Sequence, residues 1–317
     1  MATSPPYPVP ENEESRLRSL ERVMLLDTAS DQHLDRIIEL ARATLGVPIA
    51  LISLVDQDRQ WFLAKTGIEA TETSRDVAFC AHAILSEEVM VVPDASQDQR
   101  FSSNPLVTGE PGIRFYAGAP LRAMDGHLLG TLCVIDQQAH GFNDDQKRIL
   151  RMFSEQVSRE IEIRQRLARC PVTGLWNRGA FLFLCEKEFQ RARRLGRNDV
   201  HLLGFAWDPP PVPLTEALLP VFGPDDLVGR IADRMFAALM IDSTRASAMV
   251  ACRSLDAAAG ALQFDRRRSR PAARLRIGLT DLAPSDLSMA DLLVRAENAL
   301  YLTEDEAADP VMAVWGT

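Results

Sequence analysis

The sequence predicts an α/β protein of the α+β type, built as two domains joined by a helix. Three stretches carry that reading. Residues 49–55 (IALISLV) are a short apolar run that ends at Asp56, as a buried strand does. Residues 144–169 hold a long helical period with strongly charged intervening positions. Residues 226–240 (DLVGRIADRMFAALM) alternate apolar and polar side chains, break at a short polar turn and resume at Phe236, the pattern of a β-hairpin. A chain of 317 residues suits two domains of ordinary size.

Composition narrows the function classes. Hydrophobic residues are 46% and charged residues 25% of the chain, values ordinary for a globular protein with a sizeable core. No apolar run approaches a membrane span, and the first residues (MATSPPYPVPENEES) lack the basic-then-apolar order of a signal peptide, so a cytoplasmic protein without membrane association is expected. The net charge of −9 argues against nonspecific nucleic-acid binding. Two basic runs, residues 191–197 and 266–270, read as a solvated helix face and a loop. Five scattered cysteines without C-x-x-C spacing suggest neither a disulfide framework nor a structural zinc site, and no metal site is expected.

Along the chain, residues 1–15 are rich in Pro, Glu and Ser and are expected to form a disordered tail. Helical periods follow at Leu17, Leu20, Val23 and Met24, then at Leu34, Ile37, Ile38, Leu40 and Ala41. Gly46 and Pro48 stop the second helix. Strands are expected at 49–55, 61–65, 89–93, 113–121 and 128–135, with Asp125-Gly126 turning between the last two. Asn143 is the expected N-cap of the long helix. Leu150, Phe153, Val157, Ile161 and Leu167 form a near-heptad seam on it. That seam fits a parallel coiled coil and hence a homodimer through residues 144–169; packing on its own domain is the competing reading.

Several blocks of residues 16–165 resemble a GAF sensor domain: IALISLVDQDRQWF, RDVAFCAHAIL, VVPDAS, RFSSNPLVTGEPGIRFYAGAPL and GHLLGTLCVID. The resemblance implies a central antiparallel sheet with helices on one face and a small cavity on the other. Cys80, His82, Arg114, Tyr116 and Cys133 are the candidates to line it. Tyr116 and Arg114 are placed opposite Phe115 by strand alternation. A bilin on Cys80, a metal or haem held by Cys80, His82, His127 and Cys133, a small polar ligand held by Arg114 with redox-active thiols, and plain packing of two small apolar cysteines all remain open. The identity of any cofactor is unknown from sequence.

Residues 166–317 resemble a GGDEF domain of diguanylate cyclases, a ferredoxin-like palm. Thr173, Gly174, Leu175, Asn177, Arg178 and Phe181 match the family's entry motif. Asp226, Leu227, Val228, Arg230 and Leu239 match the flanks of the hairpin D-L-V-x-R-x-G-G-D-E-F-x-x-L. Its five signature positions hold Ala232, Asp233, Arg234, Met235 and Phe236, and only Phe236 matches. In the family the two glycines admit the nucleotide and the third position ligates a divalent metal. Magnesium takes oxygen ligands, and the guanidinium of Arg234 repels it. The other metal carboxylate is replaced by Ala206, with Asp208 the one match of its strand-end motif. The segment that grips guanine is shortened to residues 208–222, and three prolines there cannot form its helix. The inhibitory R-x-x-D site keeps only Asp226, and the phosphate-binding cations fall at Glu304 and Ala308.

The resemblance with these departures implies a GAF sensor and a catalytically inactive GGDEF-like domain working through an unknown protein partner. Two other classes stand beside it. One is a cyclase whose metal is held by Asp208 and Asp233; the other is a receptor that binds cyclic di-GMP or GTP without turnover.

Overall fold

A computed structural model of the chain describes residues 7–29, 31–197, 199–207, 215–216, 219–262, 275–283, 286–302 and 312–315. The chain divides into two compact units, Met1–Gln165 and Arg166–Thr317.

The first unit is built on a six-stranded antiparallel sheet. Its strands are β1 (Ile49–Val55), β2 (Arg59–Thr66), β3 (Glu72–Ser74), β4 (Met90–Val92), β5 (Phe115–Arg122) and β6 (Leu128–Asp136), in the order β3-β2-β1-β6-β5-β4. Strand alternation sorts the side chains. Ala50, Ile52 and Leu54 of β1 meet Leu132 and Val134 of β6 on one face, beneath α1 (Glu13–Arg22), α2 (Gln32–Leu45) and α5 (Asp144–Leu167). Leu51 and Val55 share the other face with Tyr116, Cys133 and Ile135, which is covered by α3 (Phe79–Ala83) and the segment around α4 (Pro105–Thr108). Gly126, at φ 91°, closes the β5–β6 hairpin in a conformation that suits glycine. Asp31 caps α2 through the His33 and Leu34 amides. Asn143 and Gln146 form a reciprocal capping box at the start of α5, each side chain accepting from the other's backbone N–H.

Two expectations are corrected. The N-terminal tail is packed from Tyr7 onward: the Tyr7 ring lies 4.8 Å over the Arg75 guanidinium and its hydroxyl donates to the Gln57 carbonyl. Glu13 then accepts two hydrogen bonds from Arg16, at 2.8 Å each, and one from Arg75 at 2.5 Å. Both guanidinium side chains are 1% exposed. Proline- and glutamate-rich composition misled because the partners lie some sixty residues away (62 from Glu13 to Arg75). The second correction concerns α5. Leu150, Val157 and Ile161 are buried in the first unit's own core, with Phe153 packed against them, so they offer no seam to a partner helix. The large apolar side chains that α5 leaves exposed are Met152, Ile163 and Leu167.

The second unit holds a five-stranded sheet in the order β11-β10-β7-β9-β8, from β7 (His201–Ala206), β8 (Leu227–Arg230), β9 (Met235–Met240), β10 (Arg276–Asp281) and β11 (Met312–Trp315). All pairings are antiparallel except β10 with β11. Residues 245–262 form α7, whose Ala248, Cys252 and Leu255 pack on Leu203, Phe205 and Phe236. On the opposite face lie α6 (Arg178–Arg194) and α8 (Met289–Leu302). Close approach is enforced by small residues. A Cβ at Gly229 of β8 would come within 2.6 Å of the Phe181 ring, and one at Gly278 within 2.5 Å of the Ala296 carbonyl.

Candidate functional site

In the first unit, the face of the sheet opposite the long helices encloses a cavity of ≈ 40 Å³ bounded by Leu51, Gln60, Phe62, Phe79, Cys80 and Tyr116. Beside it sits a cluster of soft and hydroxyl groups. Thr131 Oγ1 lies 3.0 Å and Tyr116 Oη 3.3 Å from Cys80 Sγ, and Cys133 Sγ lies 3.9 Å from it. The register explains the convergence. Thr131 and Cys133 are two apart on β6, and Cys133 stands opposite Leu51 and Gly118 in the ladder. A Cβ at Gly118 would sit 2.2 Å from the Tyr116 hydroxyl, so the glycine leaves the room in which the phenol reaches Cys80. Both sulfurs are buried.

The electrostatics of the pair are uneven. Burial alone would raise both thiols, but at Cys80 it is outweighed by hydrogen bonds from Cys133, Thr131 and Tyr116 and by the nearby Ser53 hydroxyl, which bring that thiol below its usual range. Cys133, whose thiol hydrogen bonds to Cys80, is pushed well above it, with burial adding to the rise. Buried Tyr116 is likewise raised, by burial first and by the neighbouring sulfurs second.

Of the five residues expected at the cavity, the structure brings together Cys80, Tyr116 and Cys133. Arg114 precedes β5, and its guanidinium donates to the Val107 and Ile113 carbonyls, so it ties a loop. His82 lies on the outer side of α3, edge-on to the Phe101 ring, with its pKa lowered by burial and by Arg100. Thr131, Ser53 and Gly118 were missed. The signal for Thr131 was its two-residue spacing from Cys133. Gln60 Oε1 and Thr73 Oγ1, both beside the cavity, are buried without a hydrogen-bond partner among the described residues. A larger groove between the β5 end and α5, of ≈ 590 Å³, is open and lined by charged and apolar residues alike, and its Arg122 and Arg151 pair with Glu87 and Glu88.

The second candidate region is the β8–β9 turn. Residues 231–234 connect the strands, and the Ile231 and Ala232 amides both donate to the Met235 carbonyl. Asp233 is fully exposed and its carboxylate lies 3.5 Å from Arg230, whose Nη2 also donates to the Asp233 carbonyl. Ala206 stands opposite Met235 in the ladder, and the Trp207 amide donates to the Arg234 carbonyl. Phe236 is buried, stacked on Phe205. Asp226 holds the base of the hairpin: its two carboxylate oxygens accept from the Gly223 and Ile241 amides. No group of three or more His, Cys, Asp or Glu side chains that could hold a metal occurs among the described residues. Asp208, Glu304, Ala308 and residues 266–270 lie outside the described residues.

Residues 30–161 match the family model described as GAF domain. The first unit is a GAF domain. The chain is also 39% identical over 244 residues to a cyclic di-GMP phosphodiesterase of Pseudomonas aeruginosa, a match that takes in 75% of this chain and 40% of that protein, so the chain spans two fifths of its relative's length. Solved structures similar to it include the GGDEF domain of DgcB from Caulobacter crescentus, in complex with c-di-GMP. That match has 16% identity and a TM-score of 0.42, covering 47% of this chain and 93% of that one. The GAF domain of an Acinetobacter phosphoenolpyruvate-protein phosphotransferase matches at 21% identity and a TM-score of 0.36, covering 46% and 92%. No helix among the described residues is long and apolar enough to cross a membrane.

Proposed function

We propose that the chain is a cytoplasmic, bacterial-type signalling protein of the cyclic di-GMP system, in which a GAF sensor is coupled to a GGDEF-like output unit that does not turn over GTP. The observation that carries this reading is the β8–β9 turn. Arg234 stands where the family resemblance calls for a metal carboxylate, and Ala206 stands across the ladder where the second is expected. Phosphoryl transfer between two GTP molecules depends on metal ions to neutralise developing charge, and a guanidinium offers them no oxygen ligand and repels them. The carboxylate within the turn, Asp233, faces solvent toward Arg230. Asp226, the remnant of the inhibitory motif, is occupied by two backbone amides. The unit thus keeps its framework while its ligand-contacting positions are changed, which fits output by protein–protein interaction with a partner yet to be identified. The pathway is supported by the relative's printed activity toward cyclic di-GMP.

A homodimer through α5 belongs to this reading, with the contact moved to the face that presents Met152 and Ile163. The test of inactivity is direct: incubate the purified chain with GTP and magnesium or manganese and chromatograph the products. No cyclic di-GMP above the protein-free control is expected; accumulation with time and enzyme would overturn the reading. Heat on titrating GTP or cyclic di-GMP into the protein would turn it into a nucleotide receptor.

A further inference from the structure

We propose that Cys80 and Cys133 form a hydroperoxide-reactive dithiol site beside the GAF cavity, oxidised by hydrogen peroxide to an intramolecular disulfide. The inference rests on the reading of the first unit as a sensor and names the chemical class of its signal.

Four observations converge. The two sulfurs are 3.9 Å apart, on α3 and β6, so a small side-chain rotation brings them to bonding distance. Cys80 Sγ accepts from Thr131 Oγ1 and Tyr116 Oη, two neutral donors that stabilise a thiolate without an ion pair. The buried Ser53 hydroxyl, which has no hydrogen-bond partner among the described residues, adjoins the same sulfur. The cavity bounded by Cys80 has ≈ 40 Å³, and one water needs roughly 10–15 Å³ of such space. A molecule the size of hydrogen peroxide therefore fits without rearrangement, and a chromophore or nucleotide does not. Deep burial usually makes a cysteine inert; here the cavity leaves room for a small oxidant beside Cys80, and the hydroxyl donors make its thiolate less unfavourable. The uneven thiols agree, since Cys80 is lowered and Cys133 raised.

The reaction balances in two steps. The Cys80 thiolate attacks one peroxide oxygen; the O–O bond breaks, and hydroxide leaves and takes a proton to become water. Cys80 is now a sulfenic acid. The Cys133 sulfur then attacks Cys80 Sγ; the S–S bond forms, the S–O bond breaks, and the departing hydroxide takes the Cys133 proton as a second water. Two thiols have lost two electrons and two protons, and one peroxide has become two waters. Cys133 is thus the resolving thiol.

The experiment uses the full chain with Cys170→Ser, because Arg230 and Thr173 bring the Cys170 thiol to about 7 against the effect of its burial, and it would compete. The reduced protein is treated with hydrogen peroxide, quenched with a thiol alkylator and mapped by peptide mass spectrometry. The expected product is a Cys80–Cys133 linked peptide. Cys133→Ser should instead leave Cys80 sulfenic acid that dimedone traps, and Cys80→Ser should leave Cys133 alkylated. Thr131→Val, which keeps shape and loses one hydrogen bond to the thiolate, should slow Cys80 oxidation about tenfold. No linked peptide, oxidation of Cys80 no faster than that of buried Cys185, or a wild-type rate in Thr131→Val would overturn the proposal. The peptide map is indifferent to GTP turnover, so failure here and failure of the output reading are separate results.

Discussion

Replacing Glu13 with alanine should destabilise the GAF unit far beyond what a residue in a proline- and glutamate-rich leader would suggest. Its carboxylate is shared by Arg16 and Arg75, each with 1% of its side chain exposed, and Glu13 itself keeps 16% in water. Removing one partner of a buried ion pair costs about 3–5 kcal/mol, because the charges left behind remain desolvated. Partial exposure of Glu13 puts the expectation near the lower end, about 3 kcal/mol. For a domain of this size each kcal/mol moves the melting temperature by about 2–4 °C, so the loss is roughly 6–12 °C. Differential scanning calorimetry measures it, with hydrogen exchange of the β1 and β2 peptides assigning the transition. Glu14→Ala is the control: that side chain is 80% exposed in its pair with Arg18, and its removal should stay within about 0.5 kcal/mol. The pH dependence has a definite sign. Burial alone would raise the Glu13 carboxyl, but hydrogen bonds from Arg16 and Arg75 hold it below its ordinary 4.5. Its contribution is therefore present above pH 4.5 and fades as pH falls below that value through the folded-state pKa. Wild type and Glu13→Ala should converge in acid. A melting temperature for Glu13→Ala within error of wild type, with parallel acid limbs, would refute the reasoning.

Further predictions concern the second unit and α5. Gly229→Ala should destabilise the second unit by about 1–3 kcal/mol in thermal unfolding, because the new Cβ meets the Phe181 side chain at 2.6–2.7 Å. Asp226→Ala removes the acceptor of two backbone amides and should cost about 1–3 kcal/mol in urea unfolding, with faster exchange of the Ile241 amide. Met152→Lys with Ile163→Lys should shift the light-scattering mass toward the monomer while the melting temperature moves less than about 1 °C, since both side chains are exposed.

Local pattern made the strands legible. The apolar runs of 49–55 and 128–135 mark their extents within a residue or two, and the alternating hairpin of 226–240 does the same. The failures share a cause, the need for partners distant in sequence. The stripe Leu150, Val157, Ile161 has the same spacing whether it meets a second helix or its own sheet, and here the sheet claims it. Strand parity correctly opposed Tyr116 to Phe115, yet one residue earlier the strand has not begun, and nearby carbonyls capture Arg114. Cys80 and His82 are two apart on one turn of α3, so only one of them points at the cavity.

The clasp formed by Glu13 also dictates an order of events during synthesis. This arm, made before the rest of the GAF unit, docks on a turn and on an arginine that follows Glu13 by 62 residues, while the nearby Arg16 is made with it. The first helix is therefore among the late pieces of the GAF unit to settle, although it is among the earliest made. A fusion partner or affinity tag set directly against Tyr7 would burden the step that closes the domain.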